Sequence, residues 1–224
     1  MFVGTPCQVA AMKSLCIQYD NLLLVDIICH GTPSPKIWKE YLEYFRKKEH
    51  ISNIDMINFR NKRKGWDKSF ASCLSAGIEY NMQPYMEMYG EGTIIRPSCY
   101  KCIFCDINRI SDITLGDFWG IKEFDQEWYD PMRGTSLVLC NTEKGNKILS
   151  DIRPSIDSKI YGIDSIPLQM NLKQPTQCPS KREKFWNDLL RKGFKFVVGL
   201  YGGDHGIGKI KKRIHKAFIE LKSK

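Results

Sequence analysis

The most informative run of residues in the chain is Leu22-Leu23-Leu24-Val25-Asp26-Ile27-Ile28, which is almost continuously apolar. Such a run is typical of a β-strand that is covered on both faces, as strands of parallel sheets are. The residues before it, Gln8 to Leu15, have helical composition. After it, Ser34 and Pro35 form a helix-start signal, with Ser34 as N-cap and Pro35 in the first helical position. Strands that alternate with helices in this way predict an α/β fold with a parallel or mixed sheet and flanking helices.

The second helix is indicated by an apolar stripe at helical spacing, formed by Ile37, Tyr41, Leu42 and Phe45. Beyond it, residues 54–60 and 69–74 are rich in strand-forming residues and flank a polar turn, which predicts an inserted β-hairpin. Residues 112–118 and 136–141 are predicted to be further strands, and residues 143–152 a helix. Met1-Phe2-Val3 is shorter than an ordinary strand, so we expect the chain to begin inside an element, as an N-terminally truncated domain would.

The charge distribution sets the last part of the chain apart. We expect an α/β domain over residues 1–153, an irregular excursion over 154–180 that is poor in periodicity, and a basic helical tail over 181–224. Within the tail, residues 181–192 and 209–221 are predicted to be amphipathic helices. The tail carries 13 Lys and Arg against 4 Asp and Glu and accounts for the whole net charge of +9. Such a tail suits nucleic acid, an anionic membrane surface or an acidic redox partner, although a solvated helix face is the commoner explanation.

Length and composition narrow the class of protein. A chain of 224 residues with 42% hydrophobic content can bury a substantial core. No run approaches the roughly 18 apolar residues of a membrane-spanning helix, and the N-terminus does not have the layout of a secretory signal, so we expect no membrane span and a cytoplasmic location. The nine cysteines are odd in number and irregularly spaced, which favours thiols that bind a metal or cluster over a disulfide framework.

Three cysteine motifs stand where a metal centre could use them. They are Gly4-Thr5-Pro6-Cys7, Cys29-His30-Gly31 and Cys99-x-x-Cys102-x-x-Cys105. The first two follow consecutive predicted strands, so both should lie at the carboxyl edge of one sheet, where open α/β sheets bind ligands. Neighbouring strands are about 4.8 Å apart, so both thiols can reach one object of the size of an iron-sulfur cubane. Cys7 also precedes a helix, whose N-terminus favours an anionic group.

The third motif is the strongest single signal for a metal site. A two-residue gap lets successive thiolates face one centre, but the pattern serves zinc, iron-sulfur and thiol redox chemistry alike. Because loop residues follow Cys102 and Cys105, rather than the helix that a redox pair opens, a metal centre is favoured. Five thiols then compete for the four positions of a 4Fe-4S cluster. Cys16 and Cys140 lie within apolar patterns, which predicts that they are core residues.

His30 beside Cys29 also allows a cysteine-protease interpretation, with the imidazole activating the thiol. Adjacent residues in an extended segment point to opposite faces, so this pairing is unfavourable. We expect His30 to hydrogen-bond its loop or a cluster sulfide instead. Gly4-Thr5 and Gly31 could present backbone N–H groups to a phosphate or to cluster sulfurs, although neither loop is a dinucleotide fingerprint or a P-loop.

Six segments of residues 1–150 resemble the coenzyme F420 hydrogenase/dehydrogenase β-subunit family. They are Phe2-Val3-Gly4-Thr5-Pro6-Cys7-Gln8, Asp26 to Pro35, Phe59-Arg60 with Lys64-Gly65-Trp66, Arg96-Pro97-Ser98-Cys99-Tyr100-Lys101-Cys102, Ser111 to Gly120, and Gly134-Thr135-Ser136-Leu137-Val138-Leu139. The resemblance implies an iron-sulfur oxidoreductase subunit that passes electrons between a 4Fe-4S cluster and a flavin or deazaflavin-type acceptor.

The resemblance also implies roles for particular residues. The cluster ligands are expected to be Cys7, Cys29, Cys99 and Cys102, with Cys105 as a substitute ligand. From their positions in the sequence rather than from the resemblance, the residues that flank these ligands are expected to hold the cofactor and tune it: Gly4, Thr5, Gln8, His30, Gly31 and Arg96. FAD is expected in the full-length protein. The expected partners are a ferredoxin-like donor or N-terminal ferredoxin segment and a soluble electron acceptor. The alternative is a structural zinc-binding protein whose basic tail contacts nucleic acid. Nucleic acid is the less favoured of the partners.

Overall fold

A computed structural model describes residues 1–15 and 21–204. In chain order, its strands are β1 (Phe2–Gly4), β2 (Leu24–Ile27), β3 (Met56–Asn61), β4 (Phe70–Ser75), β5 (Ile78–Asn81), β6 (Ile113–Asp117) and β7 (Ser136–Cys140). The α-helices are α1 (Pro6–Ser14), α2 (Pro35–Glu49), α3 (Gln83–Gly90), α4 (Ile121–Phe124), α5 (Glu143–Ile152), α6 (Arg182–Lys192) and α7 (Phe194–Tyr201). The chain forms two compact units. Within the described residues, unit 1 consists of Met1–His30 and Lys101–Thr176, and unit 2 consists of Gly31–Tyr100 and the chain from Gln177 to Asp204.

Unit 1 contains a mixed four-stranded sheet in the order β1-β2-β6-β7. The first three strands are parallel, and β7 runs antiparallel to β6. Short helices accompany the strands, with α1 between β1 and β2 and α5 after β7. The mixed α/β fold predicted from alternating strands and helices is therefore confirmed, and the carboxyl ends of β1 and β2 lie at one edge of the sheet.

The core of unit 1 draws on the irregular segment as well as on the sheet. Its buried members are Phe118, Ile121, Leu137, Leu139, Ile166 and Leu172. The last two belong to residues 154–180, which form short 3-10 turns. The prediction that Cys140 is a core residue is wrong. Because side chains alternate along β7, Leu137 and Leu139 face inward and Cys140 is exposed. Cys16 lies outside the described residues.

Unit 2 contains the predicted β-hairpin. Strands β3 and β4 are antiparallel, and β5 extends them to a three-stranded sheet through the turn at Ala76-Gly77, where both residues have positive φ. The helices α2, α3, α6 and α7 supply most of the remaining core, including Ile37, Tyr41 and Phe45 of the predicted stripe on α2.

Helices α6 and α7 are integral to unit 2. Phe185 of α6 and Val197 of α7 have no exposed surface, and Val198 is equally buried. The C-terminal helices of the predicted fold are therefore present, and the predicted helix at 181–192 corresponds to α6. The helix predicted at 209–221 lies outside the described residues. No helix in the described ranges is both long and apolar enough to cross a bilayer.

Gly145 fixes how closely α5 approaches the sheet. A Cβ at this position would lie 2.3 Å from the Asp112 carbonyl oxygen. The Asp112 backbone cannot easily retreat, because its N–H donates to Leu24 O and its carbonyl accepts from Asn141 N. Gly145→Ala should therefore lower the free energy of unfolding by about 1–3 kcal/mol, measured by urea denaturation.

The matched control for this prediction is Gly162→Ala in the same unit. A Cβ there would meet Ser165 Oγ at 3.8 Å, which is an ordinary contact, so its urea midpoint should stay near that of the wild type. Equal stability of the two variants would contradict the close approach of α5.

Candidate functional site

The turn after β1 places Cys7 in the first turn of α1. Thr5 caps this helix, and Gln8 folds back over the cap: Gln8 Oε1 accepts hydrogen bonds from Thr5 N at 2.9 Å and from Thr5 Oγ1 at 3.0 Å. Thr5 Oγ1 also lies 3.2 Å from Cys7 Sγ. Gly4 leaves room for this arrangement, since a Cβ there would lie 3.1 Å from Gln8 Oε1. Cys7 itself is exposed, so its thiol is accessible at the carboxyl end of β1.

Cys29 lies two residues beyond the end of β2, and the strand's pairing continues almost to it. Ile28 N donates to Leu115 O at 2.9 Å, which extends the contact with β6. The Ile28 side chain lies over Gly116, where a Cβ would be 2.6 Å from Ile28 Cδ1. Glycine at position 116 of β6 is therefore required for Ile28 to pack there. That packing fixes the position of the next residue, the half-buried Cys29.

His30 is held by the end of the irregular segment of unit 1. The Thr176 hydroxyl donates to His30 O at 2.6 Å, and Thr176 Oγ1 lies 3.2 Å from His30 Nδ1. Asn171 Nδ2 donates to the same hydroxyl at 3.0 Å. Since the hydroxyl proton is directed at the carbonyl, the imidazole contact is best satisfied when Nδ1 carries the proton. The observed contacts give His30 a role in holding its loop.

Cys102 and Cys105 lie together in the loop after the 3-10 turn Pro97–Lys101. The pKa of Cys105 is raised to about 12. Burial is the largest cause, followed by the Cys102 sulfur, which hydrogen-bonds the Cys105 thiol, and by the charge that Cys29 would carry. The sulfurs of Cys102 and Cys29 are thus near enough to disfavour the ionisation of the Cys105 thiol. A bound metal cation would reverse that balance, because thiolates are the form that binds metals.

Arg109, which the sequence analysis did not single out, holds this cysteine loop against the sheet. Its guanidinium is buried and forms an ion pair with buried Asp26 at 2.8 Å. All five of its N–H donors are used. The acceptors are Asp26 Oδ2, Ile27 O, Phe104 O, Asp106 O and Thr114 Oγ1. Two of these lie in the cysteine loop, two at the end of β2 and one on β6, so one side chain joins the three segments.

Cys99 belongs to unit 2 and has its own supporting contacts. Thr32 N donates to Cys99 Sγ at 3.4 Å. Gly31 has φ +137°, and a Cβ there would lie 2.8 Å from Ile95 Cδ1 and 3.3 Å from Cys99 Cβ, so only glycine lets this backbone approach the cysteine. Backbone N–H groups directed at sulfur are among the features that tune iron-sulfur ligands.

Arg96 contributes its backbone to the same loop. Arg96 N donates to Thr32 O, and Arg96 O accepts from Cys99 N, both at 3.0 Å. Its side chain is exposed.

The predicted site residues are divided between the two units. Unit 1 holds Cys7, Cys29, Cys102 and Cys105 together with Gly4, Thr5, Gln8 and His30, while unit 2 holds Cys99 with Gly31 and Arg96. In the parts of the chain that the structure describes, no three His, Cys, Asp or Glu side chains are grouped to hold one metal ion. A cubane binds each thiolate through a different iron, so its ligands stand farther apart than those of a single ion. Within unit 1, Cys102 and Cys105 are in hydrogen-bond contact and Cys29 is near them, so thiol donors of the kind that both zinc ions and iron-sulfur clusters use are grouped after β2.

Arg109→Met should destabilise the protein by about 3–5 kcal/mol in urea denaturation, because it leaves the Asp26 carboxylate buried without its partner. The double variant Asp26→Leu/Arg109→Met should recover most of this loss, because it leaves no isolated charge in the interior.

The control for the Arg109 variants is Lys159→Ala, which removes an ion pair with Asp125 at the surface of the same unit. It should leave the urea midpoint nearly unchanged. If Arg109→Met behaved like this control, the buried pair would not hold the loop.

The comparisons with known proteins give one positive result. Residues 1–164 match the family model that describes the C terminus of the beta chain of coenzyme F420 hydrogenase/dehydrogenase. A search of curated proteins gives no match.

Proposed function

The chain belongs to the family formed by the C-terminal regions of coenzyme F420 hydrogenase/dehydrogenase β-subunits, and we propose that it carries the iron-sulfur centre of an oxidoreductase. Membership supports an oxidoreductase-related subunit in general terms. The finer proposal is that its thiols bind one 4Fe-4S cluster, which exchanges electrons with a flavin or deazaflavin-type acceptor.

One observation carries the proposal: Arg109 ties the Cys102 and Cys105 loop to the end of β2, just before Cys29. Core packing does not require Cys29, Cys102 and Cys105 to be held in this way, since all three cysteines are only half-buried. A buried arginine that uses all of its donors is a costly way to hold a loop unless the loop must be placed accurately. The sulfurs that it places are the chemistry-bearing groups of that loop.

We propose Cys7, Cys29, Cys99 and Cys102 as the four ligands, with Cys105 as the substitute. When bound, a 4Fe-4S cluster supplies one-electron transfer. The residues of this chain then have distinct tasks. The N-terminus of α1 favours negative charge near Cys7. Thr32 N donates to the Cys99 sulfur. The guanidinium of Arg109 holds the Cys105 loop and provides a fixed positive charge there, which Asp26 balances.

The remaining partners follow from the family and are part of the proposal. FAD would be the flavin that accepts electrons from the cluster. A ferredoxin-like protein or segment would donate electrons, and a soluble acceptor would receive them. In this proposal Gly4, Thr5 and Gln8 shape the turn that carries Cys7, while Gly31 and Arg96 shape the backbone beside Cys99.

The first test is anaerobic purification with analysis of iron, acid-labile sulfide, zinc and flavin. We expect about four irons and four sulfides per chain, as a single cubane requires, with broad visible absorbance. Colourless protein with one zinc per chain would contradict the proposal and support the zinc alternative.

The ligand set is tested by single cysteine substitutions. Cys99→Ser and Cys102→Ser should each lower iron content sharply, because the cluster loses a thiolate, whereas Cys105→Ser should leave it nearly intact. Cys178→Ser is the matched control, since Cys178 is exposed and lies in unit 2 outside the three motifs. Losses with Cys105→Ser as large as those with Cys99→Ser would make Cys105 a true ligand.

A further inference from the structure

The loop that carries Cys99 is held by hydrogen bonds from a residue that is distant in the sequence. Arg182 lies at the start of α6, beyond residue 164, where the family match ends. Its Nε donates to the Tyr100 hydroxyl at 2.7 Å, and its Nη2 donates to Ile95 O at 3.2 Å. Arg182 therefore bonds the residue directly after Cys99 and also the segment that leads into its loop.

Aromatic rings hold the guanidinium in place. Its central carbon lies 5.2 Å from the centroid of the Tyr100 ring and 5.3 Å from that of Trp186. Cation–π contacts with two rings add attraction and restrict the rotation of the side chain. Trp186 packs against the core of unit 2, and Phe185 beside it is fully buried. The start of α6, which carries Arg182, is therefore anchored in the core.

Tyr100 connects Arg182 to a backbone carbonyl of the preceding segment. Its hydroxyl accepts from Arg182 and donates to Gly92 O at 2.5 Å. Lys181, next to Arg182, forms an ion pair with Glu91. The segment before the cysteine motif, the cysteine motif itself and α6 are thus joined by a continuous set of polar contacts within unit 2.

We propose that Arg182 is a positioning residue for Cys99: by holding Tyr100 and Ile95, it keeps the Cys99 sulfur where Thr32 N donates to it. The relevance of this role to cluster binding rests on the function proposed above. The role favours arginine, because lysine cannot donate from two nitrogens of one planar group while also lying close to two rings. Helix α6 would then be part of the cofactor-binding apparatus, although it lies outside the region that the family model covers.

The experiment measures thiol alkylation in metal-free protein and cluster content in reconstituted protein. N-ethylmaleimide labelling, followed by peptide mass spectrometry, gives a separate rate for each cysteine. Arg182→Ala should raise the labelling rate of Cys99 about tenfold, because the hydrogen bonds to Tyr100 and Ile95 and the contact with the Tyr100 ring no longer hold the loop. It should also lower cluster content after anaerobic reconstitution, with affinity reduced roughly 10-fold or more, as for other residues that orient a ligand.

One internal readout and three further variants separate positioning of Cys99 from general unfolding. Cys73 has 1% of its surface exposed in the core of the same unit, so its labelling reports loss of the fold. It should stay protected in Arg182→Ala. Arg182→Lys should lie between the alanine variant and the wild type, and Tyr100→Phe should shift Cys99 labelling in the same direction by a smaller factor. Arg191→Ala, on an exposed position of α6, is the matched control and should match the wild type.

The outcomes distinguish this proposal from the proposed function. If the wild type takes up a cluster but Arg182→Ala leaves both Cys99 labelling and cluster content unchanged, the positioning role is overturned and the cluster stands. If the wild type takes up no cluster but Arg182→Ala still exposes Cys99 selectively, the positioning role stands and the cluster is overturned. Equal exposure of Cys73 and Cys99 in both Arg182→Ala and Arg182→Lys would also overturn the positioning role, because the arginine would then support the fold as a whole.

Discussion

The buried ion pair between Arg109 and Asp26 is the interaction on which the candidate site of unit 1 depends. An isolated charge in a protein interior is strongly unfavourable, so neither residue could be buried without the other. The pair therefore fixes the position of the cysteine loop at the end of β2, because the same guanidinium also donates directional hydrogen bonds to two loop carbonyls. The rest of the sheet edge is built around it: Ile28 packs over Gly116, and Cys29 follows.

The fold class and the secondary structure could be predicted well from the sequence, because they depend on local signals. Helix α5 occupies the residues 143–152 that were predicted to be helical, and the hairpin of β3 and β4 follows from strand-forming residues on either side of a polar turn. The exposure of Cys140 was missed for a physical reason. An apolar neighbourhood in sequence does not say which face of a strand a residue occupies, and β7 buries only its alternate side chains.

The long-range features could not be predicted from the sequence. Nothing local marks Arg109 as buried, since its carboxylate partner is 83 residues away. Arg182 is equally ordinary in sequence, standing in a basic segment whose commoner explanation is a solvated helix face. Both residues depend on which segments the fold brings together. The division of the chain into units has no composition signature either, and its boundary between Tyr100 and Lys101 falls inside the third cysteine motif.

Unit 1 is discontinuous in the chain, and this has a consequence for biosynthesis. Strand β2 needs β6 as its neighbour, but residues 31–100 must leave the ribosome between them, which at ordinary elongation rates takes on the order of ten seconds. During that interval Cys7 and Cys29 emerge from the exit tunnel before Arg109 does. The edge formed by β1 and β2 is therefore made before the segment that later packs beside it. A centre that used Cys7 and Cys29 together with Cys102 could be completed only after residues 101–109 have also emerged.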